Sequence, residues 1–180
     1  MKTIIQSTRI FLGLTLLTGI IYPLAMTGLA NVLFPRQAQG SLVQINGKLA
    51  GSELLAQKFA GESYFWSRPS AADYATVASG ASNKGPTSGD LVKSIAAQRT
   101  ALGAEAPVDL LTASASGLDP HISPEAAKFQ IPRIAAARHL PNEQLDALVD
   151  GLTEAPQLGF LGEPRVNVLR LNRELAANRK

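Results

Sequence analysis

The chain has 180 residues, is 46% hydrophobic and 17% charged, and carries a formal net charge of +3 with no cysteine. The missing cysteines exclude disulfides, thiolate metal sites and cysteine nucleophiles. Acids are interspersed with bases, and without Lys2 and Arg9 the rest of the chain stands at about +1, which is no nucleic-acid-binding pattern.

Residues 10–34, IFLGLTLLTGIIYPLAMTGLANVLF, hold no charge and are bracketed by Lys2, Arg9 and Arg36. At about 1.5 Å per residue a helix of this length reaches about 37 Å, enough to cross a hydrocarbon core of about 30 Å with some tilt. The competing reading is a cleaved signal peptide, with a basic start and Gly28-Leu29-Ala30 as a small-x-small site. Against it, the run is longer than the roughly 7–15 residues of a signal core and continues through Val32, Leu33 and Phe34. A retained anchor is the expectation. Gly19, Pro23 and Gly28 are tolerated in membranes and let a second helix approach, with Thr15, Thr18 and Thr27 as hydroxyls for such a contact. Small residues merely scattered along a lone anchor are an equal alternative. The basic residues ahead of the span place residues 1–9 in the cytoplasm and residues 35–180 outside, as one soluble domain. About 145 residues remain after the anchor, the usual size of one domain with its own core.

Phe34-Pro35 ends the anchor helix. Residues 41–50, SLVQINGKLA, predict two short strands around Asn46-Gly47, a pair suited to a type I′ turn. Ser52 predicts the cap of a helix over 53–59, with Leu54, Leu55 and Phe59 facing inward. Residues 64–70, YFWSRPS, concentrate three of the chain's ten aromatics, either as a buried cluster or as a docking surface. Residues 71–89 are rich in Ser, Gly, Ala and Asn and read as a long loop. Lys84 there does not follow the phosphate-loop pattern, since Gly85 and Pro86 come after it.

A helix over 91–102 follows, capped by Ser88 or Asp90 and stopped by Gly103. Residues 108–112 read as a strand. Ser123-Pro124-Glu125 starts a helix running towards His139, kinked or broken by Pro132. Residues 142–152 predict a further helix, with Leu145, Leu148, Val149 and Leu152 at helical spacing. A turn-rich link covers 154–164, and 166–169 read as a last strand. A polar helical tail follows with Arg170, Arg173, Glu174, Arg179 and Lys180. The mixture of a hairpin, two more strands and several helices gives an α+β fold behind one N-terminal transmembrane helix.

Ser114, Ser116, Asp119 and His121 include the residue types of a Ser-His-Asp triad. Groups this close on one loop seldom meet a triad's geometry, and no nucleophile elbow precedes a helix here. The simpler expectation is that they hold the loop in place. His121 and His139 lack paired metal-ligand spacing, and Glu154 and Glu163 are isolated carboxylates. Residue chemistry alone gives no positive case for an enzyme, and an anchored hydrolase using His121 or a solitary anchored binding module are the rival readings.

Taken in order, these stretches resemble one family nearly end to end. They are Tyr22-Pro-Leu with Thr27-Gly28, Phe34-Pro35 with Ala38-x-Gly40-Ser41-Leu42, and Gly51-Ser52 with Gln57-x-Phe59. Then come the YFWSRPS run, Ser82-Asn83-x-Gly85-Pro86-Thr87, TASASGLDPHISP at 112–124, and LGEPRVNV at 161–168. The chain resembles the C subunit of the bacterial Kdp-type potassium-transporting ATPase. Ala81 and Ala115 stand where that pattern usually has Gly, which would strain the loop if either position needed positive φ.

The resemblance implies a non-catalytic accessory subunit of the bacterial inner membrane. Its partners would be a channel-like potassium-binding subunit, a P-type ATPase subunit and the lipid bilayer, with no nucleic acid. It implies a role in assembly and as a catalytic chaperone that raises the ATP affinity of the ATPase subunit. ATP and potassium are then used by the complex, with no cofactor assigned to this chain. An outside domain has no direct access to cytoplasmic ATP, and the sequence lacks an Asp-Lys-Thr-Gly-Thr phosphorylation motif. The residues expected to face a partner or brace its loops are Tyr64, Trp66, Arg68, Asn83, Lys84, Thr87, Asp119, His121 and Arg165. Gly19, Pro23 and Gly28 are expected to serve helix packing in the membrane.

Overall fold

A computed structural model describes residues 1–45 and 47–177. The chain forms two compact units, Met1–Val43 and Gln44–Lys180.

The first unit is mostly one rod. Helix α1 (Lys2–Leu16) runs through a π-helical turn, Leu17–Ile21, into α2 (Tyr22–Leu33). The wide turn has a local cause. Pro23 has no N–H to give to the carbonyl four residues back, and the Tyr22 N–H reaches instead to the Leu17 carbonyl. Thr18 Oγ1 donates to the Leu14 carbonyl at 2.7 Å and Asn31 Nδ2 to the Thr27 carbonyl at 2.9 Å, so these polar groups are satisfied within the rod. None of its residues is fully buried. The helical stretch Lys2–Leu33 is long and apolar enough to cross a membrane. Phe34 leaves helical geometry, and a single turn, α3 (Pro35–Ala38), follows that the sequence does not announce.

Strands β1 (Leu42–Ile45) and β2 (Lys48–Ser52) make the expected two-stranded sheet. Its expected turn residue Asn46 lies outside the described residues, as do Arg179 and Lys180 of the tail. The helix expected over 53–59 is absent. Ser52 stays in β2, and its hydroxyl accepts the Leu54 N–H at 3.1 Å, which makes a turn rather than a helix cap. The Ala56 N–H goes to the Leu118 carbonyl at 2.9 Å, so this segment finds its backbone partner across the fold. Leu54 and Leu55 are exposed, not inward-facing. Phe59 does pack on the core. Gly51 sits at φ +151, a conformation L side chains rarely adopt, and the Gln57 amide lies in the space beside it.

Helix α4 (Gly89–Leu102) ends at Gly103 with φ +108, as the sequence predicts; Ser88 is the N-cap residue but makes no side-chain cap bond. Residues 108–111 form a short helix, α5 (Val108–Leu111), where a strand was expected. Pro107 sits extended at its entrance, Asp109 lies in the first turn, and Thr112 Oγ1 bonds back to the Val108 carbonyl at 3.0 Å. These are helix-start features that outweigh the apolar, strand-like look of the run.

The second sheet is three-stranded and antiparallel in the order β3-β5-β4, from β3 (His121–Ile122), β4 (Thr153–Glu154) and β5 (Arg165–Asn167). Its register pairs His121 with Asn167, Ile122 and Thr153 with Val166, and Glu154 with Arg165. Ser123 caps α6 (Pro124–Phe129), accepting the Ala126 N–H at 3.1 Å. The chain breaks at Gln130, and α7 (Ile131–Arg138) restarts with Pro132 in its first turn, so the proline resets the helix as expected. His139 closes α7 at φ +55. Helix α8 spans Asn142–Leu152 with Leu145 and Val149 buried.

The expected strand at 166–169 is shorter than read, because α9 (Val168–Ala177) begins within it. The tail is no polar appendage. Val168, Leu171 and Leu175 fall at helical spacing and are buried, and Asn172 is buried with them. Together with Phe65, Ile122, Ile134, Leu145, Val149 and Val166 they form one core.

Candidate partner-docking surface

The long loop expected over 71–89 runs to residue 88, where α4 follows, and it begins earlier than read: residues 53–88 hold no helix or strand. What orders its first part is a set of side chains acting as backbone partners. The Phe65 N–H donates to Asn172 Oδ1 at 2.9 Å, and Asn172 Nδ2 donates to the Phe65 carbonyl at 2.9 Å. One residue on, the Trp66 N–H donates to Gln130 Oε1 at 2.8 Å, and Gln130 Nε2 donates to the Trp66 carbonyl at 3.2 Å. Both amides are buried. Each offers the donor and acceptor that a neighbouring strand would offer, so the segment is held as a strand without a sheet.

Two arginines of α7 complete the hold. Arg133 donates to the carbonyls of Glu62 at 2.7 Å and Tyr64 at 3.0 Å and lies 3.7 Å over the Trp66 ring. Arg138 donates to the Ser63 carbonyl at 2.6 Å and lies 5.1 Å from the Tyr64 ring centre. The aromatic run is therefore partly core and partly surface. Phe65 is fully buried, while Tyr64 and Trp66 are half-buried, with Trp66 Nε1 donating to the Gly61 carbonyl.

Arg68 and Asp119 begin a second group. Arg68 Nη1 stands 3.4 Å from Asp119 Oδ2, and Nη2 stands 3.4 Å from Thr112 Oγ1. Asp119 Oδ1 accepts the His121 N–H at 3.0 Å, and His121 Nδ1 lies 3.8 Å from the same oxygen. On the opposite edge strand, β4, Glu154 binds Arg165 Nε at 3.1 Å and Arg170 Nη1 at 2.9 Å. Ser116 Oγ accepts the Leu118 N–H at 3.1 Å, and the buried Ser114 gives its N–H to the Pro69 carbonyl at 3.0 Å. The residue types of a triad thus hold the loop's backbone in place. Gly117 has φ +70, and a Cβ there would lie 2.9 Å from the Gly80 carbonyl, which locates a close approach between this turn and the long loop.

Burial is the first cause of a lowered His121 pKa, and Arg165 is the second, so the ring is neutral at pH 7. The unfolded chain takes up a proton near pH 6.5, before the folded one does. The folded form is then penalised as pH falls below that value, and stability rises with pH through this window. His121→Gln is expected to flatten the wild-type loss of stability on acidification below pH 6.5, measured by melting across the acid range.

Asn83, Lys84 and Thr87 are exposed on the long loop, and Asn83 sits at φ +53. Arg165 is exposed at the start of the central strand β5. Gly19, Pro23 and Gly28 lie on the rod, and nothing stands within 4 Å of a Cβ built on either glycine. Ala81 and Ala115 are not among the positive-φ residues, so alanine strains neither position. Sequence reading missed the amide clamp of Gln130 and Asn172, whose residue types look like surface. It also missed an apolar turn inside the 154–164 link, where Leu158, Phe160 and Leu161 are exposed beside a Gln157–Leu161 bridge.

Fold and surface define a class: a small mixed α/β domain behind a single N-terminal helix apolar enough to cross a membrane. The model of the family "KdpC: K+-transporting ATPase, c chain" matches residues 4–177. A potassium-transporting ATPase KdpC subunit of Methylobacterium nodulans is 53% identical over 179 residues, covering 89% of each chain. The corresponding subunit of Rhodospirillum rubrum is 53% identical over 182 residues, covering 96% of this chain and 94% of its own. That of Rhodopseudomonas palustris is 51% identical over 185 residues, with 92% of each covered. The chain belongs to the KdpC family of potassium-transporting ATPase subunits.

Proposed function

We propose that the chain is a single-pass accessory subunit of an ATP-driven potassium importer in the bacterial inner membrane. Residues 1–9 are cytoplasmic and the domain from residue 35 onward lies on the outer face. It joins a channel-like potassium-binding subunit and a P-type ATPase subunit, and takes no part in hydrolysis. Its work is assembly, with Gly19, Pro23 and Gly28 meeting a neighbouring helix and the surface around Tyr64–Arg68, Asn83–Thr87 and Asp119–Ser123 meeting the companions. Any effect on the ATP affinity of the ATPase subunit passes through the complex, since a domain outside the membrane does not reach cytoplasmic ATP.

The observation that carries this reading is the family match over residues 4–177. The charge-free run behind Lys2 and Arg9 supports the orientation. Nor do the groups that resemble a triad favour a hydrolase, because Ser116 and Asp119 engage backbone amides. The test is co-purification of a C-terminally tagged chain, expressed from its operon and solubilised in mild detergent. Larger membrane subunits and potassium-stimulated ATP hydrolysis are expected in the eluate. A chain that elutes alone, folded and without associated ATP hydrolysis, overturns the reading.

A further inference from the structure

We propose that the cleft between the 69–88 loop and α4 receives an acidic loop of a companion subunit, whose carboxylate meets the ammonium of Lys84. The inference rests on the reading that the chain works inside a complex. The cleft has a volume of about 880 Å3. Helix α4 contributes Leu91, Ser94 and Gln98, at the i, i+3, i+7 spacing of one face, and the loop contributes Ser82 and Lys84.

Some of the polar groups here are already engaged. Ser94 Oγ donates to the Leu91 carbonyl at 2.8 Å, and Thr112 Oγ1 donates to the Val108 carbonyl at 3.0 Å. Among the described residues, the Lys84 ammonium, the Ser82 hydroxyl and the Gln98 amide have no partner within the chain. No carboxylate lines the cleft, while Leu91, Ala97 and Leu111 give it an apolar floor.

One free cation, two free neutral groups and an apolar floor complement a single carboxylate on a short apolar stem, as in Asp or Glu. A phosphate group asks for more. It is gathered by several cations or by the N–H groups of a helix start, whereas the cleft lining holds one cation, Lys84. Charge complementarity therefore favours a protein loop over a small phosphate ligand.

The experiment uses the whole complex purified through this chain, comparing wild type with Lys84→Glu and Lys84→Met. Companion retention is measured at about 0.05 and 0.5 M salt, between which screening strengthens severalfold. Wild-type retention is expected to fall with salt. Lys84→Glu is expected to lower retention about tenfold at low salt and to reverse the salt response, because salt screens the new repulsion, while Lys84→Met lies between and loses the salt dependence. Selection for potassium-limited growth of Lys84→Glu is expected to return changes of Asp or Glu to Lys in a companion. Unchanged retention and salt response in Lys84→Glu overturn the proposal. So does saturable binding of inorganic phosphate to wild type but not Lys84→Glu, with retention unaltered, which makes the cleft a small-anion site. Lys84 is exposed, so equal melting of wild type and both variants separates a lost contact from a lost fold. A wild-type chain that elutes alone counts against the complex itself rather than this contact.

Discussion

Replacing Asn172 by alanine is expected to lower the stability of the domain by about 3–5 kcal/mol. The side chain is buried, and both halves of its amide are engaged with Phe65. Alanine removes both hydrogen bonds and leaves the Phe65 N–H and carbonyl without partners, at about 1–3 kcal/mol for each group, and adds a small void. Asn172→Asp does not rescue. It keeps an acceptor for the Phe65 N–H but turns an oxygen towards the Phe65 carbonyl where a donor stood. Urea unfolding of the full chain in detergent reads both variants through the fluorescence of Trp66, the chain's only tryptophan. A loss under about 1 kcal/mol in Asn172→Ala would show that water replaces the amide at little cost, against the clamp argued here.

Phe65→Ala is expected to cost about 3–5 kcal/mol by a different route. The ring is fully buried in the cluster that includes Ile134, Leu145, Val166 and Leu171, and its removal leaves a cavity that neighbouring helices fill only in part. Phe65→Leu retains most of the volume and is expected to lose less than about half as much. Because Asn172 holds the backbone that presents the ring, the two losses are not additive. In the double variant the loss of stability should fall short of the sum of the single losses by more than about 0.5 kcal/mol, because once the clamp is gone the ring is no longer held in its site. Thermal or urea unfolding of the four chains supplies the cycle.

Much of this architecture is legible in the residues because the signals are periodic or local. The N-terminal apolar rod shows in 25 uncharged residues, α8 in the spacing of Leu145, Val149 and Leu152, and α6 in Ser123-Pro124-Glu125. The errors occur where a distant partner decides. Ser52 carries a sound helix-start signal, but the Ala56 N–H is taken by Leu118, so no helix forms. In α9, Arg170, Arg173 and Glu174 draw attention from the Val168, Leu171, Leu175 stripe, which has meaning only against the rest of the core. The candidate docking surface is visible as motifs, but its internal order is not. No spacing rule announces that Gln130 and Asn172 replace the missing strand beside Phe65 and Trp66, because their sequence separations are 64 and 107 residues. Local propensity cannot carry information across such distances.

That long separation also bears on how the protein is made. The N-terminal rod is made before the domain, whereas the amide that holds Phe65 sits in α9, the last described element. During synthesis Gln130, Arg133 and Arg138 can already meet the backbone of Glu62, Ser63, Tyr64 and Trp66, yet the Phe65 backbone has no partner and its ring no closed core until α9 emerges. The domain core therefore closes only once α9 is made, and a chain cut before Val168 keeps its rod but has an open core.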